Sequence, residues 1–168
     1  MSAIRGRASI LAMALALCVC DAEAQRSRSA GDAASFCLSA AELSRTLGFE
    51  VRVFAGGTRA VGPAEICAYE ATGRLQGTLV TLSVGPAGGE EDPLERVQRA
   101  AKTMLGARAE AERIDVGDVG YAYGSNTQSE AAARKGDRAY YVQVVTMGAG
   151  GPGSRQAELV ALLRRVVD

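Results

Sequence analysis

The chain has 168 residues, 48% of them hydrophobic, and its 19 basic side chains balance its 19 acidic ones. That is the composition of a globular protein, and a formal net charge of zero leaves no basic footprint for a nucleic-acid partner. The chain has no His, which excludes imidazole-based triads and imidazole-ligated zinc sites.

Arg5 and Arg7 make a basic start, Ile10 to Cys20 is an unbroken apolar run, and Ala22-Glu23-Ala24 supplies a small-x-small pattern. This is the layout of a secretory signal peptide over residues 1–24, cleaved between Ala24 and Gln25. A helix of eleven residues reaches only about 16 Å, half a hydrocarbon core, so no transmembrane segment is expected after processing. A lipid anchor on Cys18 or Cys20 is disfavoured, because Leu17 and Val19 stand where a small residue belongs. Residues 25–35 lack any periodicity and read as a flexible tether. The expected product is one domain over 36–168, periplasmic or secreted. Its two remaining cysteines, Cys37 and Cys67, make a disulfide in an oxidising compartment.

Within that domain Ser39-Ala40-Ala41-Glu42 is a capping box, with Leu38 and Leu43 placed as a hydrophobic staple and Gly48 as the exit, so a helix runs over 40–47. Phe49, Val51 and Val53 alternate with Glu50 and Arg52 as a half-buried strand. Gly56, Gly57, Gly62 and Pro63 mark a turn before strands over 65–71 and 78–84. Asp92 then caps a second helix with Pro93 at its first position, Glu95 closing a box and Gly106 past its end. Leu94, Val97, Ala101 and Met104 form its apolar stripe. A short strand over 113–116 follows, then the Gly-rich segment over 117–123. A hairpin over 130–134 and 138–147 turns at Lys135-Gly136-Asp137, with Tyr140, Val142 and Val144 on one face. A closing helix over 154–167 turns Leu159, Leu162, Leu163 and Val166 inward. The fold class is α+β, an antiparallel sheet flanked by helices in the order α-β-β-β-α-β-β-β-α, with one disulfide.

Gly148-Ala149-Gly150-Gly151-Pro152-Gly153 is a literal G-x-G-x-x-G, but the helix after it leads to no second strand and no acid that would hold a ribose. Ser154 stands where a phosphate-binding loop needs lysine, so no cofactor is expected. Glu112, Asp115 and Asp118 do not match a calcium loop, and no metal is expected. The acidic triplet Glu90-Glu91-Asp92 reads as a solvated loop. Tyr121 and Tyr123 point the same way in an extended segment; with Asp118 they are the candidate binding residues, although so aromatic-poor a core favours burial of both tyrosines.

The run Cys37-Leu38-Ser39-Ala40-Ala41-Glu42-Leu43, the segment Ile66-Cys67-Ala68-Tyr69, Gly117 to Tyr123, and the hairpin Arg134-Lys135-Gly136-Asp137 together resemble a class of small secreted bacterial domains. These are similar to the PsbP-like α/β/α sandwiches. The resemblance implies an accessory or binding module with no catalytic residues to carry over; many relatives are lipoproteins, and there this chain departs. The expected function is therefore a non-catalytic module for a protein or cell-envelope partner, not an enzyme. The alternative is an envelope hydrolase using carboxylates alone. A buried acid pair in a deep cleft would favour the alternative, and an exposed apolar patch or open sheet edge the binding module.

Overall fold

The computed structural model describes residues 36–89, 92–147 and 151–168. The expected signal peptide, its Ala24–Gln25 junction, the tether, Glu90-Glu91 and Gly148 to Gly150 lie outside the described residues.

The first helix, α1 (Ala40–Leu47), forms as its capping residues dictate. The Glu42 amide donates to the Ser39 hydroxyl at 3.2 Å, and the Ser39 amide donates to the Glu42 carboxylate at 2.9 Å. The Ser39 hydroxyl also donates to that carboxylate at 2.7 Å; this bond first, then the one from the Ser39 amide, with the Arg165 guanidinium alongside, hold the Glu42 carboxyl below its usual range. Then come β1 (Val51–Val61), β2 (Ala64–Ala71), a single 3-10 turn, β3 (Thr78–Pro86), α2 (Pro93–Leu105), β4 (Glu112–Ile114), β5 (Val119–Gly124), β6 (Gln128–Lys135), β7 (Arg138–Thr146) and α3 (Gln156–Val167). All seven strands join one antiparallel sheet in the order β1-β2-β3-β7-β6-β5-β4.

The element order is α-β-β-β-α-β-β-β-β-α, one strand more than the sequence reading. The extra strand, β5, lies in the Gly-rich segment. Gly117 makes the turn before it, at φ 63° and so close to Arg134 that a Cβ would overlap that residue's carbonyl. From Val119 onward the backbone extends and pairs with β4 and β6. Gly117→Ala is expected to lose about 1–3 kcal/mol in urea denaturation, from left-handed strain plus the clash; an unchanged midpoint would show the turn to be slack.

β1 also runs past the expected stop at Val53. Gly56 and Gly57 are not the turn; they form a bulge, where the register with β2 shifts between Val53 and Thr58. Only Gly62-Pro63 reverses the chain. In α2 the Asp92 carboxylate accepts from the Leu94 amide at 2.9 Å and also receives Arg134 at 3.2 Å. Among the described residues Glu95 closes no box. Met104 is 39% exposed and leaves the stripe, while α3 begins at Gln156 and buries Val167 more deeply than Val166.

The helices lie on both faces of the sheet. On one face Leu43 and Leu47 of α1 and Leu159, Leu162, Leu163 and Val167 of α3 pack on Cys67, Tyr69, Val80, Leu82, Val142 and Val144. On the other, Leu94, Val97 and Ala101 of α2 pack on Tyr123, Ala132 and Tyr141. β6 serves both layers with Ala131, Ala132 and Ala133, all fully buried, whose small side chains let a helix approach from each side. Cys37 and Cys67 are joined, with Cα atoms 5.9 Å apart, and the Tyr69 hydroxyl donates to the Leu38 carbonyl at 2.5 Å. Both links fasten the segment before α1 to β2. Among the described residues no helix is long and apolar enough to cross a membrane.

Candidate functional site

The α2 face of the sheet is covered over half its width. α2 packs on β5, β6 and β7. Among the described residues β1, β2 and β3 carry no helix on that side, and the burial pattern follows. Cys67, Tyr69, Val80 and Leu82 are buried in the layer of α1 and α3, whereas Ile66, Ala68, Leu79, Thr81 and Ser83, which alternate with them, are only half-buried. The alternation of a strand with one dry face and one wet face accounts for this.

Beneath α2, next to the bare half, lies a polar cluster that sequence reasoning missed. Glu130 is 1% exposed. Its Oε1 accepts from Gln128 Nε2 at 2.5 Å and from Gln143 Nε2 at 3.0 Å. Register brings the cluster together, because Tyr123, Glu130 and Gln143 are direct partners across β5, β6 and β7. Glu130 Oε2 and the hydroxyls of Tyr123 and Tyr141 make no hydrogen bond of good geometry, yet both phenols lie near enough to feel the carboxylate. Burial first, and the Glu130 charge second, raise both phenols above the ordinary tyrosine range. The Arg96 guanidinium stands 4.9 Å from the centre of the Tyr141 ring and acts in the opposite direction.

The edge of the bare half is β1. Val53, Phe54 and Val61 are 57%, 42% and 49% exposed; Val61 pairs with Ala64 on the bare side, whereas Val53 pairs with Tyr69 and turns to the α1 side. Arg52 is held by Glu70 at 2.7 Å, while Arg59 has no ion-pair partner among the described residues.

Asp118, Tyr121 and Tyr123 do not form one site. Tyr123 is buried in the cluster just described. Tyr121 shares its face, as the alternation requires, but is half-buried and lines a cavity of about 200 Å³ with Gln98, Lys102, Glu110 and Ala111. The Asp118 carboxylate accepts from the Gly136 amide at 2.8 Å and so pins the β6–β7 turn. Among the described residues no three acids or cysteines come together in a way that would hold a metal ion. An open groove of about 570 Å³ runs between β4 and α3, where Gln156 donates to Glu112 and where Asp115, Glu158 and Arg164 also contribute. Its acids are mixed with arginines rather than paired in a dry pocket.

A signal for Glu130 was present in the sequence. A strand reading Gln-Ser-Glu-Ala-Ala-Ala has no bulky face, so helices must approach both of its sides and its polar residue must be buried. No family model, curated protein or solved structure matches the chain.

Proposed function

We propose that this is a non-catalytic binding module of an exported protein, and that the bare half of the sheet receives its partner. The observation that carries the reading is the helix-free, half-buried strip over β1 to β3, which ends on an edge strand where Val61, paired with Ala64 on that side, is 49% exposed. Apolar surface of that kind, set beside a rigid scaffold, is where a partner gains most by docking. The disulfide suits an oxidising compartment, in keeping with export. The resemblance to PsbP-like sandwiches points to the same accessory role.

The carboxylate-only hydrolase finds less support. General acid–base work by carboxyl groups needs two of them set apart in a cleft. Glu130 is the only buried acid among the described residues, and its nearest polar neighbours are carboxamides and phenols.

The test is a photo-crosslinking amino acid placed at Thr81 on the bare half, or at exposed Ala161 on α3 as a control, in protein expressed in its native envelope. The expected result is a discrete adduct from Thr81, suppressed by excess unlabelled protein, and none from Ala161. Equal labelling from both positions, or none from Thr81, would count against the reading.

A further inference from the structure

The chemistry of the partner follows from what surrounds the bare strip. Tyr141, Ser83, Ile66 and Arg59 are successive partners across β7, β3, β2 and β1. That row spans three strand spacings, about 14 Å. Arg59 ends it on the edge strand, and Arg96 stands over Tyr141 at the other end. Neither arginine has an ion-pair partner among the described residues. The floor between them is Ile66 and Ser83, with Ala68, Thr81 and Gln143 in the neighbouring row. Glu70, the nearest acid on that face of β2, is already neutralised by Arg52. Glu130, the partner of Gln143 in the neighbouring row, is 1% exposed beneath α2 and holds two carboxamides, so the solvent-facing strip is positive at both ends and hydrogen-bonding between them.

We propose that the bare half-sheet takes an acidic, extended polypeptide segment, one carboxylate of which reaches Arg59 and another Arg96. The proposal rests on the binding-module reading and names its partner. An extended chain advances about 3.3 Å per residue and turns alternate side chains to one face, so acids four residues apart stand about 13 Å apart on the same side. That spacing matches the backbone row from Tyr141, under Arg96, to Arg59, and Thr81, Ser83 and Gln143 offer hydrogen bonds to the chain between.

A second copy of this chain fits poorly. A two-fold interface sets the same patch against itself, so the unpaired arginines of one copy would face those of the other. A nucleic acid carries a charge every ~1.7 Å of duplex, far denser than two arginines at the ends of a row of about 14 Å can neutralise. Strand addition along the edge of β1 is interrupted by the bulge at Gly56-Gly57, a device that protects sheet edges.

The experiment measures fluorescence anisotropy of the oxidised protein with a labelled peptide carrying Glu at positions i and i+4 separated by Thr and Val. A matching peptide with Gln at both positions, a single-stranded DNA oligonucleotide and phosphatidylglycerol vesicles are the comparison arms. The Glu peptide is expected to bind, to weaken with salt, and to lose about tenfold in affinity with Arg59→Glu or Arg96→Glu. Arg45→Glu, exposed on α1 across the sheet, is expected to leave binding unchanged. Arg59 lies on the solvent edge, so Arg59→Glu keeps the test valid even if altering Arg96 disturbs Tyr141.

Equal binding of the Glu and Gln peptides, indifference to both arginine variants, or preference for the oligonucleotide or the vesicles would overturn the proposal. If Thr81 crosslinks a specific partner while the Glu peptide fails to bind, the acidic-segment proposal fails and the binding-module reading stands. If Thr81 captures nothing, it is the binding-module reading that fails.

Discussion

Replacing Cys37 and Cys67 together by alanine is expected to lower stability by about 3–4 kcal/mol. A cross-link closing a loop of roughly 30 residues removes that much conformational freedom from the unfolded chain. The native geometry allows the full effect, because a Cα separation of 5.9 Å lies inside the ordinary range for a bridge. Cys67 is fully buried among Tyr69, Leu82 and the leucines of α1 and α3, and the bridge ties the entry of α1 to β2. A serine pair is expected to lose about 1–3 kcal/mol more than the alanine pair, because the hydroxyl at position 67 would be buried in an apolar core. Urea denaturation of the three proteins separates the two contributions. Far-ultraviolet circular dichroism without denaturant is expected to be nearly unchanged, since the bond from Tyr69 to Leu38 and the packing of Leu43 and Leu47 remain. Free thiols in the native, unreduced protein, or a loss below about 1 kcal/mol, would contradict this account.

The parts of this fold legible in the sequence are those fixed by local chemistry. Ser39 with Glu42 starts α1, Asp92 with Pro93 starts α2, and Cys67 and Tyr69 share the inner face of β2 because strand side chains alternate. The parts that were not legible depend on partners distant in the chain. β5 reads only as a Gly-rich extended segment and not as a paired strand, because its glycines mask the pattern; Gly120 and Gly124 are there because neighbouring residues press against the backbone at both. β1 reads as a strand that stops at Val53 because Gly56 and Gly57 suggest a turn, and only pairing with β2 on both sides makes them a bulge. Met104 falls on the apolar period of α2 but, in the last turn of the helix, is 39% exposed. The candidate site was hidden for the same reason. No local pattern says that α2 covers one half of a face and leaves the other bare, and the small residues around Glu130 point to close helices without naming Tyr123 and Gln143, between which register sets it. Asp118 and Tyr121, singled out by composition, have local roles at a turn and a small cavity.

Alkaline pH is expected to unfold this protein through Tyr123 and Tyr141. Both phenols have folded-state pKa values above that of an exposed tyrosine, because burial disfavours the phenolate and the Glu130 charge disfavours it further. Below about pH 10 the hydroxyls are protonated in both the folded and unfolded chains, and the contribution of each to stability is fully present. Above that pH the unfolded chain ionises while the folded chain does not, so each group removes about 1.4 kcal/mol of stability per pH unit. The loss continues until the folded pKa is reached, which for two such groups is enough to unfold a domain of ordinary stability. Tyr69 adds to the effect, raised by burial and then by Glu42. Tyrosinate absorbance and circular dichroism followed together are expected to show these phenols ionising only as the secondary structure is lost. Tyr141→Phe is expected to flatten the alkaline slope by one group's share while changing neutral-pH stability little, because that hydroxyl makes no hydrogen bond of good geometry. In Glu130→Gln burial persists as the larger cause, so ionisation stays deferred but begins at lower pH. Reversible ionisation of all five tyrosines near pH 10, with the circular dichroism intact, would show that the cluster beneath α2 is open to solvent.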